Sequence, residues 1–260
     1  MSDKILKIVL VYPDLLGTYG DSGNAEILVA RAKLRGINAV LVTVSSTQPV
    51  PLDGDVYVLG GGEDGPQQAA VTLLRKDGGL ERAHSNGAQI LAICAGFQIL
   101  GVEFPISKSG SVAGLGLLPV RTLRSTKPRC VGELMVDPDP SLGVPLVSGY
   151  ENHAGQTEII SGKPLGRVVY GVGNSYESGC DGYLDDTVIA SYCHGPMLAR
   201  NPGIADVILW RALGTDLSEI SDANLMHSID DLRFERISSI GTPKYWKDLL
   251  SIARRLKQLL

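Results

Sequence analysis

Short apolar runs without polar alternation recur along the first hundred residues, most of them separated by stretches of helical character. Residues 5–11 read as a fully buried strand, 24–34 as a helix stopped by Gly36, and 38–44 as a second strand. Buried strands joined by helices make parallel βαβ units, because a crossover helix covers the face that a hairpin leaves open. A third strand at 56–59 runs into Gly60-Gly61-Gly62. Pro66 suits the first turn of a helix reaching about Arg75, and another helical stretch ends near Gly87. The run Gln89-Ile90-Leu91-Ala92-Ile93 then breaks into Cys94-Ala95-Gly96-Phe97-Gln98, a buried strand turning sharply into a helix. The expected fold is α/β, with a mixed, mainly parallel sheet flanked by helices. Its active groups are expected at strand C-terminal ends.

Beyond Gly101 the texture changes to short β-like segments at 117–123, 130–136, 167–170 and 188–192, separated by Gly, Pro and Asp-rich turns. The sheet is expected to continue there in mixed or antiparallel form, with a helix at 202–213 packing against it. The last forty or so residues read as two amphipathic helices, Pro243 opening the second. Trp246, Leu249, Leu250 and Leu256 there are either core packing or a partner-binding stripe. The expected division is therefore a domain over 1–214 and a helical extension over 215–260.

Composition excludes several classes. With 44% hydrophobic and 20% charged residues among 260, the chain is ordinary globular material able to bury a sizeable core. A net charge of -4 offers no concentrated basic face for a nucleic-acid backbone; the one dense cluster, Arg254, Arg255 and Lys257, reads as the solvated side of a helix. Four cysteines, Cys94, Cys130, Cys180 and Cys193, show no C-x-x-C pairing, and the chain passes from Met1-Ser2-Asp3-Lys4 directly into a strand. A reducing cytoplasm is expected. No apolar stretch approaches the ~20 residues of a membrane span, so a lipid-linked substrate would be met at the inner membrane face.

A thiol at a strand-to-helix elbow feels the positive end of the following helix, and the next backbone N–H can hold an oxyanion. Taken alone, Cys94 is as readily a buried structural cysteine. Of four histidines, His84 and His227 lie in polar helical stretches. His194 instead follows Val188-Ile189-Ala190-Ser191-Tyr192-Cys193 and precedes Gly195-Pro196, at another strand end. That placement makes it the candidate base for Cys94.

These residues carry a resemblance. Cys94-Ala95-Gly96-Phe97-Gln98 resembles the nucleophile elbow of class I glutamine amidotransferases. Tyr192-Cys193-His194-Gly195-Pro196 and Gly149-Tyr150-Glu151-Asn152-His153-Ala154-Gly155 resemble motifs of their cobyric acid synthase-like branch. Tyr19-Gly20-Asp21-Ser22-Gly23-Asn24, Gly60-Gly61-Gly62-Glu63-Asp64 and Glu151-Asn152-His153 resemble, within that branch, the free-standing amidotransferase subunits of lipid II isoglutaminyl synthases. The resemblance implies the flavodoxin-like fold of class I amidotransferases. It implies Cys94 as nucleophile, His194 as base, and an oxyanion hole from Ala95 with Gly61 or Gly62. Gln98, Gly60 and Arg129 would contact glutamine, Arg129 through its carboxylate; a surface arginine is the equal alternative. Glu151, Asn152 and His153 line the site or brace His194, or serve only local turn structure. One departure stands out. Where many class I enzymes carry an orienting glutamate two residues after the histidine, this chain has Pro196. Either a dyad suffices, or a carboxylate comes from elsewhere in the chain, or it comes from another polypeptide. An acid supplied in trans would make the isolated chain a poor glutaminase.

No G-x-x-x-x-G-K-[ST] loop appears, and no metal site or cofactor is expected in this chain. The resemblance implies a heterodimer with a Mur ligase-like synthetase that binds ATP and Mg²⁺. That partner would phosphorylate D-glutamate of the lipid II stem peptide and use the ammonia to make D-isoglutamine, a step of peptidoglycan biosynthesis. Competing readings are an amidotransferase for a corrinoid carboxylate, a silent glutamine-binding module, and a cysteine hydrolase or peptidase of similar fold. Corrinoid enzymes generally carry a synthetase domain in the same polypeptide, for which these residues leave no room.

Overall fold

The computed structural model describes residues 5–106 and 110–214, with two further helical positions, Asp231 and Glu235. Apart from those two, the extension expected over 215–260 lies outside the described residues, as do His227, Trp246, Leu249, Leu250, Arg254, Arg255, Leu256 and Lys257.

The first half alternates as expected: β1 (Leu6–Val11), α1 (Gly23–Leu34), β2 (Ala39–Val44), β3 (Val56–Leu59), α2 (Asp64–Asp77), α3 (Gly79–Ser85), β4 (Gln89–Ile93) and α4 (Ala95–Leu100). The second half runs β5 (Glu103–Pro105), β6 (Ser111–Ala113), β7 (Val120–Arg124), β8 (Cys130–Pro138), a 3-10 turn at Pro140–Leu142, β9 (Val147–His153), β10 (Gly155–Ile159), β11 (Gly166–Tyr170), β12 (Cys180–Asp181), β13 (Tyr183–Leu184), β14 (Val188–Ser191), α5 (Met197–Arg200) and α6 (Pro202–Leu213).

Six strands form the main sheet in the order β13-β14-β4-β3-β1-β2, all parallel except the β13–β14 pair. Strands β3, β4 and β14 are buried at every residue, which is why each reads as an unbroken apolar run. Helix α1 packs on β1, β2 and α6, while α4 packs on β3 and β4. Asp206 of α6 ties the first of these contacts down, accepting from Arg31 Nε at 2.7 Å and Arg35 Nη2 at 2.7 Å on α1.

The expectation that the sheet simply continues holds only for β14 and β13. The remaining strands build two separate four-stranded sheets, β10-β7-β5-β6 and β12-β11-β8-β9. The second is stitched to the main sheet where Tyr150 of β9 and His194 bond through their backbones, His194 N–H donating to the Tyr150 carbonyl at 2.8 Å. Asn201 adds a side-chain amide pair with the backbone of Ser148 at 2.9 and 2.8 Å.

Strand order reverses between β1 and β3, since the chain leaves β1 outward to β2 and returns on β1's other side. Loops after β1 and β3 diverge at such a point and leave a crevice at the strand C-termini.

Candidate active site

Four loops meet at that crevice, those following β1, β3, β4 and β14. Cys94 is the elbow between β4 and α4, held at φ 50°, ψ -103°, a strained conformation for a residue with a side chain. Its N–H continues the ladder to the Ser191 carbonyl at 2.9 Å, so the strain is imposed by the strand behind it. The residue is 7% exposed, enough for its sulfur to line a cavity of about 130 Å³.

His194 lines the same cavity from the end of β14. Its Nδ1 lies 2.8 Å from Asp21 Oδ2, and both side chains are buried. Its Nε2 is buried without a nitrogen or oxygen partner among the described residues, and the Cys94 thiol interacts with this ring. Burial pulls the imidazole pKa down, but the Asp21 hydrogen bond and the Cys94 contact together push it up to about 10 from 6.5. At neutral pH the ring is therefore a cation facing sulfur.

A carboxylate of this chain, Asp21, 173 residues before His194, thus stands where the Pro196 departure left the orienting position open. It also accepts from the Gly61 N–H at 2.8 Å and the Gly195 N–H at 3.3 Å. Pro196 has its own part in this arrangement. A Cβ on Gly23 would lie 2.7 Å from Pro196 Cγ, so the proline seats against the loop that carries Asp21. Asn24 completes the seam by accepting the Leu198 N–H at 2.9 Å.

The glycine loop needs two corrections. The N–H of Gly61 is engaged by Asp21 and cannot serve an oxyanion; this residue is glycine because a Cβ there would stand 2.5 Å from His194 Cε1. Gly60 does not line the cavity: a Cβ there would meet the Leu16 carbonyl oxygen at 2.3 Å, and its own carbonyl accepts the Gly96 N–H. Gly62 does line it, beside Ala95, whose Cβ would lie 3.8 Å from one built on Gly62. Ala95 and Gly62 thus remain as the oxyanion candidates.

Gln98 reaches the cavity within a buried polar chain, accepting from Gln67 Nε2 at 2.8 Å and donating to the Tyr192 hydroxyl at 3.1 Å. That hydroxyl meets Thr157 Oγ1 at 2.5 Å. His153 stacks on Tyr192 with ring centroids 3.8 Å apart, and its Nδ1 lies 2.9 Å from the Gly155 carbonyl. Glu151 accepts the N–H groups of Val172 and Gly173 at 2.8 and 2.9 Å and contacts His153 Nε2 at 3.3 Å. These two brace the wall of the cavity; the brace on His194 itself comes from the neighbouring Tyr150 backbone. Arg129 and Asn152 line the cavity and bond to one another. His84, expected to be solvated, lies 3.1 Å from Thr187 Oγ1 through Nε2.

A thiol on a strained elbow, a buried imidazole and a carboxylate behind it are the set of groups that acyl transfer calls for. Residues 7–202 match the model of the CobB/CobQ-like glutamine amidotransferase domain. The chain belongs to that family. Two relatives match this amidotransferase over most of their length. The subunit GatD of the glutamine-hydrolysing lipid II isoglutaminyl synthase of Streptococcus pneumoniae is 35% identical over 214 residues, 80% of each chain. The corresponding Staphylococcus aureus subunit is 34% identical over 201 residues, 76% of this chain and 81% of its own. A cobyric acid synthase of Desulforudis audaxviator is 36% identical over 160 residues, which are 57% of the amidotransferase but 30% of the synthase. No helix among the described residues is long and apolar enough to cross a membrane.

Proposed function

We propose that this chain is the glutamine-hydrolysing subunit of a lipid II isoglutaminyl synthase, with Cys94 as nucleophile, His194 as proton carrier and Asp21 as orienting acid. The observation that carries the chemistry is the Asp21–His194–Cys94 line at the end of the strained elbow. The observation that favours this acceptor over a corrinoid is coverage. The match to the GatD subunits runs through about four-fifths of both chains, whereas the cobyric acid synthase match stops at under a third of that enzyme.

The reaction starts from sulfur as the thiolate, with the His194 imidazolium facing it. Sulfur attacks the side-chain amide carbon of glutamine, and the oxyanion is taken by the N–H groups of Ala95 and Gly62, each such donor contributing about 3 kcal/mol. His194 protonates the departing nitrogen, releasing ammonia and leaving a γ-glutamyl thioester. Neutral His194 then draws a proton from water, which hydrolyses the thioester to glutamate and restores the thiolate. Asp21 keeps the ring in place throughout and steadies its charge. Gln98 and Arg129 bind the substrate, Arg129 through the α-carboxylate. Ammonia passes to a Mur ligase-like partner that holds ATP and Mg²⁺ and amidates D-glutamate of lipid II, at the inner face of the membrane.

Replacing Cys94 by Ala in the reconstituted two-chain enzyme should abolish glutamine-dependent amidation while ammonia-dependent amidation persists. A glutamine-mimicking electrophile should label Cys94, and glutamine should block the labelling. Labelling elsewhere, or loss of both activities in the variant, would contradict the assignment.

A further inference from the structure

One asparagine joins the two ends of the cavity. Arg129, one residue before β8, donates from Nε to Asn152 Oδ1 at 2.5 Å and from Nη2 to the Asn152 carbonyl at 3.1 Å. Asn152, on β9, donates from Nδ2 to the Tyr19 hydroxyl at 2.7 Å. The Tyr19 ring in turn meets His194 edge-on, with centroids 4.8 Å apart and planes at 60°.

We propose that Asn152 is a positioning residue for glutamine recognition, holding the Arg129 guanidinium toward the α-carboxylate while the Tyr19 hydroxyl fixes the orientation of the asparagine itself. The inference rests on the amidotransferase reading above. Arg129 is exposed, and an exposed arginine samples many rotamers, which binding must then restrict. Asn152 removes that freedom beforehand, engaging two of five N–H donors and leaving the rest for a carboxylate.

The mount beneath Asn152 is stiff. Its strand neighbours Glu151 and His153 are buried and hydrogen-bonded on the opposite side, as alternation along a strand requires. The far end is equally fixed. Tyr19 has φ 61°, a conformation a tyrosine keeps only when its surroundings impose it. The residue before it, Thr18, bonds the Gly61 carbonyl through N at 3.1 Å and Oγ1 at 2.9 Å, and Asp21 accepts the Gly61 N–H. Tyr19 is therefore clamped over His194 from both sides, and its hydroxyl is a fixed acceptor for Asn152.

The test measures alkylation of Cys94 in the full-length chain by two electrophiles. Iodoacetamide has no α-carboxylate; 6-diazo-5-oxo-L-norleucine carries the whole amino-acid end of glutamine. Asn152→Ala should slow the diazoketone about tenfold while iodoacetamide stays within about twofold, because only the first reports on Arg129. Arg129→Ala should slow the diazoketone at least as much, and the double variant should match Arg129→Ala alone, since the asparagine acts through the arginine. Tyr19→Phe, which removes only a hydroxyl, should give a smaller selective slowing. Equal slowing of both electrophiles in Asn152→Ala, or additive losses in the double variant, overturns the inference while leaving the proposed function intact. An unchanged diazoketone rate in Arg129→Ala removes the carboxylate assignment and this inference with it. Failure of both reagents to label Cys94 in the unsubstituted chain would instead sink the amidotransferase reading.

Discussion

His194 takes its character from a residue far away in sequence. The Asp21 carboxylate and the Cys94 sulfur outweigh burial and hold the ring charged up to about pH 10. Asp21→Asn keeps the shape but withdraws the charge, so the imidazole pKa should fall back toward 6.5 and the thiolate should lose its counter-ion. The expected result is a kcat for glutamine hydrolysis lower by on the order of 10²–10⁴, with Cys94 alkylation slowed at neutral pH. Unchanged kcat and an unchanged alkylation profile would remove Asp21 from the mechanism. Cys94 and His194 are legible in the sequence because each ends an apolar strand with glycine close behind. Asp21 is harder to see, since it sits in a polar, glycine-bearing stretch that no apolar run leads into. No side chain caps α1 at Ser22; the polar residues of this stretch face Gly61, His194 and Leu198 instead. A second sign was Pro196 itself, which left the histidine without its usual local partner.

At the level of elements, legibility followed burial. β3, β4 and α6 fall where the apolar pattern puts them, and β1, β2 and β14 within about a residue, because a strand covered on both faces must be apolar throughout; β13, two residues long, has no counterpart in that pattern. β9 carries Ser-Gly-Tyr-Glu-Asn-His and reads as a motif, not a strand; its conformation comes from seven backbone pairings with β8. β5 and β6 are three residues each, too short for any periodicity to register. The contact of α6 with α1 makes a separate prediction. Arg31 and Arg35 have side chains only 5% and 6% exposed, and Asp206 is the acceptor that both share. Asp206→Ala leaves two buried guanidinium groups without that carboxylate and should cost about 3 kcal/mol, read as a lower urea midpoint at unchanged m. A midpoint within error of the unsubstituted chain would mean the pair is solvated in the native state.

Across the whole molecule, two buried groups give stability the same dependence on pH. The His194 pKa is raised on folding, so its contribution is fully present below about 6.5 and is lost as pH rises toward about 10. Asp181 is fully buried; burial drives its carboxyl up to about 6 from 3.8, only partly offset by hydrogen bonds from Ser191 and the Tyr192 N–H. For an acid the sign is the same, because the folded state holds the proton more tightly. Its benefit lies below about 3.8 and is lost as pH rises through about 6. Thermal unfolding between pH 5 and 9 should therefore show Tm declining toward alkaline pH. Asp181→Asn should flatten the lower part of that decline and Asp21→Asn the upper part. A Tm rising with pH across this range would refute both assignments.

The contact between Asp206 and the two arginines of α1 also has a temporal meaning. Helix α1 begins two residues after Asp21, and its clasp is delivered by α6, some 170 residues later in synthesis. A polypeptide still emerging from the ribosome displays Cys94 long before His194 or that clasp exists. The line of Asp21, His194 and Cys94 is complete only once residue 194 has been added to the chain.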